Sequence, residues 1–237
     1  FRSPSDAQRP VEREVDFVDG AKMDAVETDV ETSYGKLTFS TVGASLQGID
    51  FHHDVSGEKT TLTPISSKEN EDRCFLVALE GASPLYYNLN SRVDHDETTE
   101  LKYVSKSSES AALIEKKFTI FKRLNKIDLE VSVKPKDDAV RLRLFYPAPR
   151  LKSLKVDSAS GVYEEGTYNL QKKPADKILD KFWESVTIFG AEDKYFLNVM
   201  YKDEDFFAQR GYYKKSPDGN LISILESHKI KIGRAHV

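Results

Sequence analysis

The stretch Lys181–Tyr201 reads Lys-Phe-Trp-Glu-Ser-Val-Thr-Ile-Phe-Gly-Ala-Glu-Asp-Lys-Tyr-Phe-Leu-Asn-Val-Met-Tyr, and it is the strongest indication of fold class in the chain. β-Branched and aromatic residues lie on both sides of a turn-forming cluster around Gly190, which is typical of a β-hairpin. Trp183 is the only tryptophan. Because so large a side chain is rarely left exposed, we expect it to cover part of a hydrophobic core. The stretch therefore predicts antiparallel pairing inside an all-β domain.

The middle of the chain alternates apolar and polar residues with a period of two. Such alternation puts the apolar residues on one buried face of a strand and leaves the charged ones, Arg141 and Arg143 included, in water. Short turns at residues 124–126 and 135–138 join the strands, so we predict an antiparallel meander in a sandwich. The apolar positions are Phe118, Ile120, Ile127, Leu129, Val131, Val133, Val140, Leu142 and Leu144.

The remaining segments predict further strands joined by loops. Gly43 and Gly48 permit a bend or bulge within an early strand pair. The predicted elements are a first strand at residues 25–30, the strand pair at 36–49, a loop or edge hairpin at 50–73 and a buried strand at 74–79. Later come a long loop with one short strand at 161–168, a short helix at 175–183 and a final strand at 221–225.

Composition limits the classes of function. The chain has 237 residues, enough for one sandwich domain, and 35 basic against 39 acidic residues give a formal charge of −4. This balance argues against a nucleic-acid partner, because phosphate binding needs a concentrated basic face. The single cysteine, Cys74, excludes an intrachain disulfide. No apolar run is long enough to cross a bilayer, and no signal peptide is visible.

Part of the chain resembles a known family. Trp183 followed by Phe-Gly-Ala-Glu-Asp-Lys-Tyr-Phe-Leu at residues 189–197, after glycine-marked early strands, resembles the large periplasmic domain of the YidC membrane protein insertases. The resemblance implies a β-supersandwich of the galactose-mutarotase type with short helical segments. It also implies a non-catalytic domain on the periplasmic side of the bacterial inner membrane, in a parent protein that inserts membrane proteins alone or with the Sec translocon. Its partners would be Sec translocon subunits and nascent membrane proteins.

The same resemblance divides the chain into three parts. Residues 1–22 would be a polar linker that follows an absent membrane helix, and residues 23–231 would form the domain. Ile232–Val237 matches what a common sequencing adapter encodes in one reading frame, so we expect it to be an artefact. A chain that begins at Phe1 is expected to be a fragment or a trimmed product.

Aromatic and turn residues are the candidates for packing or interaction. Two aromatic pairs near the C-terminal end offer surface for packing against the sandwich or for lying at the lipid interface. The candidates are Trp183, Phe189, Gly190, Asp193, Tyr195 and Phe196 in and around the hairpin, and the two pairs Phe206-Phe207 and Tyr212-Tyr213.

Two readings from other classes stay open, a mutarotase-like enzyme and a carbohydrate-binding module. The aldose epimerases use a histidine acid and a glutamate base, and in them a histidine precedes an aromatic-aromatic-Asn-Leu sequence. Tyr86-Tyr87-Asn88-Leu89 is similar to that sequence, but Leu85 stands at the histidine position. We therefore predict that the chain has no catalytic residues and is not an enzyme.

No metal or cofactor site is predicted. His52-His53-Asp54 places adjacent histidines on opposite faces of a strand, where they rarely share one ion. Asp94-His95-Asp96-Glu97 lacks the glycine and distal glutamate of a calcium loop. Cys74 lies among apolar residues, which favours a buried, unreactive thiol.

Overall fold

A computed structural model describes most of the chain, in fifteen ranges. Side chains are described for the greater part of the residues between 24 and 146, for two late strands and for Phe17. The described ranges are 16–18, 24–55, 58–62, 73–80, 82–105, 112–134, 141–147, 157–164, 167–174, 182–184, 186–192, 197–201, 208–215, 221–227 and 233–236.

Every regular element in these ranges is a β-strand, so the predicted all-β class is confirmed. In chain order the strands are β1 (Asp16–Val18), β2 (Glu27–Thr32), β3 (Gly35–Ser40), β4 (Ser45–Val55), β5 (Glu58–Leu62), β6 (Leu76–Leu79), β7 (Ala82–Pro84), β8 (Tyr87–Asp94), β9 (Thr98–Ser105), β10 (Leu113–Phe121), β11 (Ile127–Lys134), β12 (Leu142–Pro147), β13 (Asp157–Glu164), β14 (Thr167–Pro174), β15 (Phe182–Glu184), β16 (Val186–Glu192), β17 (Leu197–Tyr201), β18 (Ala208–Lys215), β19 (Leu221–Ser227) and β20 (Gly233–His236).

Two of the three strands of the predicted meander, β10 and β11, pair in one antiparallel sheet, in the order β20-β11-β10-β9-β8. The third, β12, was wrongly placed beside them, because it pairs with β6 and β19 in another sheet. Along β10, buried and partly exposed residues alternate without exception, as a period of two requires. The outward face carries cross-strand ion pairs, for example Lys102 with Glu115 at 2.8 Å and Lys117 with Glu100 at 3.0 Å. We call this sheet the meander sheet.

The early strands form a second antiparallel sheet, in the order β2-β3-β4-β5. Residues 50–73, predicted as a loop or edge hairpin, contribute the end of β4 and the edge strand β5. A bulge occurs where Thr38 pairs with Gly48 and Phe39 with Leu46, so the irregularity lies beside Gly48, as predicted. The turn at residues 41–44 that joins β3 to β4 includes two residues with positive φ, Gly43 at 71° and Ala44 at 40°.

The third sheet, with the order β15-β18-β19-β12-β6, is the central one. All residues of β6 and β19 are buried, because this sheet is covered on both faces. Its first face, with Leu144 and Leu225, joins the main core shared with the meander sheet and the early strands. Its second face, with Phe145 and Ile224, forms a smaller core against which Phe17 of β1 packs.

A fourth antiparallel sheet, in the order β14-β13-β16-β17, contacts the central sheet through β16, which approaches β18 and β19. β1 and β7 form a short parallel pair. The pairing of β16 with β17 confirms a hairpin within residues 181–201, but the predicted turn around Gly190 is wrong, because Gly190 lies inside β16 and pairs with Val199. Among the described residues, no helix is long and apolar enough to span a membrane.

Two predictions about the later part of the chain are corrected. Residues 161–168 were expected to be a long loop with one short strand, but residues 161–164 belong to β13 and residues 167–168 to β14, and these two strands pair. The predicted helix at 175–183 is wrong at its end, because Phe182 and Trp183 lie in β15, opposite Tyr212 and Gly211 of β18. Residues 175–181 lie outside the described residues.

Candidate functional site

A buried cluster of charge lies on the second face of the central sheet. Glu226 of β19 accepts hydrogen bonds from Arg141, with Nη1 3.1 Å from Oε1, and from Arg143 of β12, with Nε 3.3 Å from Oε2. The Glu226 side chain is 7% exposed and that of Arg143 is 10% exposed. Register places Glu226 directly opposite Arg143 on one side and Arg210 of β18 on the other. We call these four residues the Glu226 cluster.

The Glu226 cluster combines one carboxylate with several guanidinium groups, and it reaches solvent at the Arg141 side chain, which is 28% exposed. Among the side chains that the structure describes, Glu226 is the only buried carboxylate. The guanidinium groups offset the cost of burying the carboxylate, because an oppositely charged partner compensates a buried charge. Nε of Arg141 is buried and has no hydrogen-bond partner. The cluster can accept a proton at a carboxylate and can donate hydrogen bonds to oxygen atoms of a polar ligand.

A second polar group lies inside the main core, around the Tyr86-Tyr87-Asn88 segment. The Tyr87 hydroxyl is buried without a hydrogen-bond partner, and burial raises the pKa of Tyr87. Nζ of Lys116 on β10 lies 5.4 Å from the centre of the Tyr87 ring, and burial holds the pKa of Lys116 well below its usual range. Both side chains are closed off from solvent, so neither can exchange protons with a bound substrate.

Leu85 occupies the histidine position of the epimerase pattern, and the structure shows what it does there. Its side chain is buried, and its carbonyl oxygen accepts a hydrogen bond from the Gly43 amide at 2.6 Å. Tyr87 pairs in the same way, since its amide donates to the Thr41 carbonyl at 2.9 Å. This segment therefore anchors the turn at residues 41–44 to the main core.

The histidines and the acidic turn do not assemble a metal site in the described part of the chain. His52 is exposed on β4, and His95 is exposed in the turn between β8 and β9. Arg92 and Thr99 donate hydrogen bonds to Asp94 and lower the pKa of that carboxyl group. No group of three or more His, Cys, Asp or Glu residues with metal-binding geometry occurs in the described ranges.

The predicted interaction residues do not form one site. Tyr212 and Tyr213 are 7% and 0% exposed and pack into the cores on opposite faces of the central sheet. Of the two roles predicted for this pair, packing in the sandwich is therefore the one that the structure shows, and not the lipid interface. Trp183 lies on β15, and Phe189 and Gly190 lie on β16. Asp193, Tyr195, Phe196, Phe206 and Phe207 lie outside the described residues.

Sequence reasoning missed the Glu226 cluster because it placed Arg141 and Arg143 on a solvated face. One signal was present in the same strand. Phe145 lies on the same side of β12 as Arg143, and an apolar residue on each side of a strand indicates a strand covered on both faces. That signal predicts a buried Arg143, which then needs a buried carboxylate as its partner.

The order of the sheets around the main core defines the fold as a β-supersandwich of the galactose-mutarotase type, as predicted. The chain is similar to a candidate mutarotase (YeaD) from Salmonella typhimurium, with 10% identity, 90% of this chain and 88% of that chain covered, and a TM-score of 0.56. It is also similar to HI1317, with 11% identity, 89% of each chain covered and a TM-score of 0.52. A candidate aldose 1-epimerase from Escherichia coli K12 matches with 11% identity over 90% of this chain and 94% of that chain, at a TM-score of 0.47.

These comparisons correct the family resemblance. No family model matches the chain, and no curated protein matches it. The solved structures it resembles include a candidate mutarotase, so the assignment to the insertase family and the function it implied are wrong. The prediction that the chain is not an enzyme is also corrected, since the similar structures include a candidate mutarotase. At 10–11% identity the likeness shows the fold. The Sec partners and the membrane location stay predictions.

Proposed function

We propose that the protein acts on a carbohydrate, as a mutarotase-type protein that binds an aldose at the Glu226 cluster. The observation that carries the proposal is the buried ion pair between Glu226 and Arg143, on a sheet that is otherwise apolar at its centre. The fold supports it, because a candidate mutarotase shares this architecture over 90% of the chain. Burying a charge costs free energy of folding. Proteins most often bear this cost at sites that bind or transform polar ligands.

Mutarotation needs a proton to leave the anomeric hydroxyl and another to reach the ring oxygen. The bond between C1 and the ring oxygen then breaks, an open-chain aldehyde forms, and ring closure on the other side of C1 gives the second anomer. Glu226 accepts the proton of the anomeric hydroxyl in this scheme, because it is the carboxylate of the cluster, and water supplies the proton that the ring oxygen gains. The guanidinium groups of Arg141 and Arg143 orient the carboxylate and donate hydrogen bonds to sugar oxygens.

Polarimetry of freshly dissolved α-D-glucose and α-D-galactose tests the proposal. We expect the protein to speed the approach to anomeric equilibrium above the buffer rate. Glu226→Gln should reduce that acceleration by roughly 100-fold or more, because it removes the general base and nearly keeps the shape. Glu115→Gln is the matched control, since Glu115 is a carboxylate on the outward face of the meander sheet, paired with Lys102.

Both variants must first show the wild-type circular dichroism spectrum. An unchanged rate in Glu226→Gln, or a rate equal to buffer in the wild-type protein, would refute the catalytic assignment.

A second candidate function is carbohydrate binding without turnover. The buried Leu85 at the position of the epimerase histidine favours it, since the matching general acid is absent there. Saturation-transfer NMR with the same sugars separates the candidates. Sugar binding that Arg143→Met abolishes, together with a mutarotation rate equal to buffer, would identify a binding protein.

A further inference from the structure

One side chain connects the meander sheet, the turn at residues 41–44 and the segment that leads into the central sheet. Lys116 is fully buried, and its Nζ lies 2.7 Å from the Gly43 carbonyl oxygen, 3.1 Å from that of Ala44 and 2.5 Å from that of Phe75. These are hydrogen-bonding distances to three backbone acceptors from two chain segments. We call the three carbonyls the carbonyl cage.

The backbone adopts an unusual conformation where the cage forms. Gly43, Ala44 and Phe75 have φ angles of 71°, 40° and 64°. Left-handed backbone is unfavourable for Ala and Phe, because their Cβ atoms crowd the carbonyl oxygen, so strong surrounding interactions must hold it. Neighbouring hydrogen bonds do so, since the Phe75 amide donates to the Phe145 carbonyl at 2.9 Å and the Leu46 amide to the Cys74 carbonyl at 3.0 Å.

The number of carbonyl acceptors indicates which protonation state of the Lys116 side chain fits the carbonyl cage. An ammonium group has three N–H donors and no acceptor, whereas a neutral amine has two donors and one lone pair. Three carbonyl oxygens around Nζ therefore match a cation, and a neutral amine would direct its lone pair at one of them. Among the described residues no carboxylate lies within ion-pair distance of Lys116, so the three carbonyl dipoles are the groups that offset part of the cost of burying the ammonium.

We propose that residues 41–44 together with residues 73–75 form a monovalent-cation site whose resident cation is the ammonium group of Lys116. The Lys116 ammonium group thus takes the place of a bound ammonium ion, and its hydrogen bonds connect three sheets. The site is selective for a primary ammonium, because three converging acceptors require three N–H donors on one side of the nitrogen. This inference is independent of the proposed carbohydrate function, which concerns the opposite face of the central sheet.

Chemical rescue tests the site. Lys116→Ala removes three methylenes and the ammonium, and n-propylammonium supplies the same atoms as a free ligand. We expect the variant to unfold at a lower temperature than wild type. We also expect n-propylammonium to raise its Tm by about 2–4 °C when the ligand is at roughly five times its Kd. Wild-type protein, whose cage is filled, should show no such rise at the same ionic strength.

Two kinds of control separate cage binding from general effects. Tetramethylammonium has the charge without N–H donors, and 1-propanol has a similar shape without the charge, so neither should rescue Lys116→Ala. Lys116→Met fills the space with an apolar chain and should not respond to n-propylammonium. Equal shifts in Lys116→Met and Lys116→Ala, rescue by tetramethylammonium, or a Lys116→Ala variant that stays unfolded in every salt would each overturn the proposal.

Discussion

Gly35 makes the turn from β2 into β3 with a φ of 154°, and a Cβ atom there would overlap the carbonyl oxygen of Asp50 on β4. Gly48 lies in the same sheet, but its Cβ would meet Thr38 Cβ at 3.6 Å, an ordinary contact. We therefore expect Gly35→Ala to lower the free energy of unfolding by at least about 2 kcal/mol. Gly48→Ala should change it by less than about 1 kcal/mol. Urea denaturation of the two variants measures the difference, and equal losses would contradict it.

Lys116 should make stability depend on pH in the alkaline range. Burial places its pKa in the folded protein well below the usual 10.5. Between the two values the unfolded chain keeps a proton that the folded chain has released, so stability rises with pH. The contribution of Lys116 to the free energy of unfolding is smallest at pH values below its pKa in the folded protein. It reaches its full value at pH values above its pKa in the unfolded chain.

The measurement is the difference in unfolding free energy between wild type and Lys116→Met, at several values from about pH 7 to about pH 10. We expect the difference to move in favour of wild type as the pH increases. A difference that falls with pH would mean that the carbonyl cage outweighs burial and raises the pKa instead.

At the scale of an element, β10 shows how one strand separates core from surface. Phe118 is fully buried, and its ring lies 5.0 Å from that of Phe39, 5.7 Å from that of Phe75 and 6.1 Å from that of Tyr103, centre to centre. Phe118→Ala should therefore cost about 3–5 kcal/mol, since the cavity is walled by three other rings. Thr119→Ala, on the other face of the same strand, should cost less than about 1 kcal/mol. Similar midpoints for the two variants in urea would show that the alternation does not define the core.

Alternation also explains which elements could be predicted from sequence and which could not. Ile127 to Lys134 alternate strictly, and β11 was found at those bounds. β13 and β14 lack such a pattern, with Asp157-Ser158-Ala159-Ser160-Gly161 in one and Gln171-Lys172-Lys173-Pro174 in the other, so only their pairing partners reveal them. The candidate site was not predicted from the sequence for a related reason. Whether Arg143 is solvated depends on what covers the second face of the central sheet, which is a property of tertiary structure.

At the scale of the whole molecule, the family resemblance failed although the fold it implied was right. The segment at residues 189–197 begins within β16 and ends at the first residue of β17, and β-branched and aromatic residues are common in strands of many β-sandwiches. A similarity confined to such a segment therefore indicates a shared fold, and it does not show that two proteins belong to one family. Charge placement inside the fold is more informative about chemistry, as the buried Glu226 and the caged Lys116 show.

The strand order of the central sheet has a consequence for synthesis on the ribosome. β12 is hydrogen-bonded to β6 on one side and to β19 on the other, so the sheet has its final width only after residues 221–227 have left the exit tunnel. Until then β12 can pair with β6 only, and its other edge has no partner strand. Pairing over such long sequence separations is slow, because the chain must close large loops before any contact compensates for the lost freedom. The nascent chain therefore completes its folding as one unit, late in translation, and not strand by strand as it emerges.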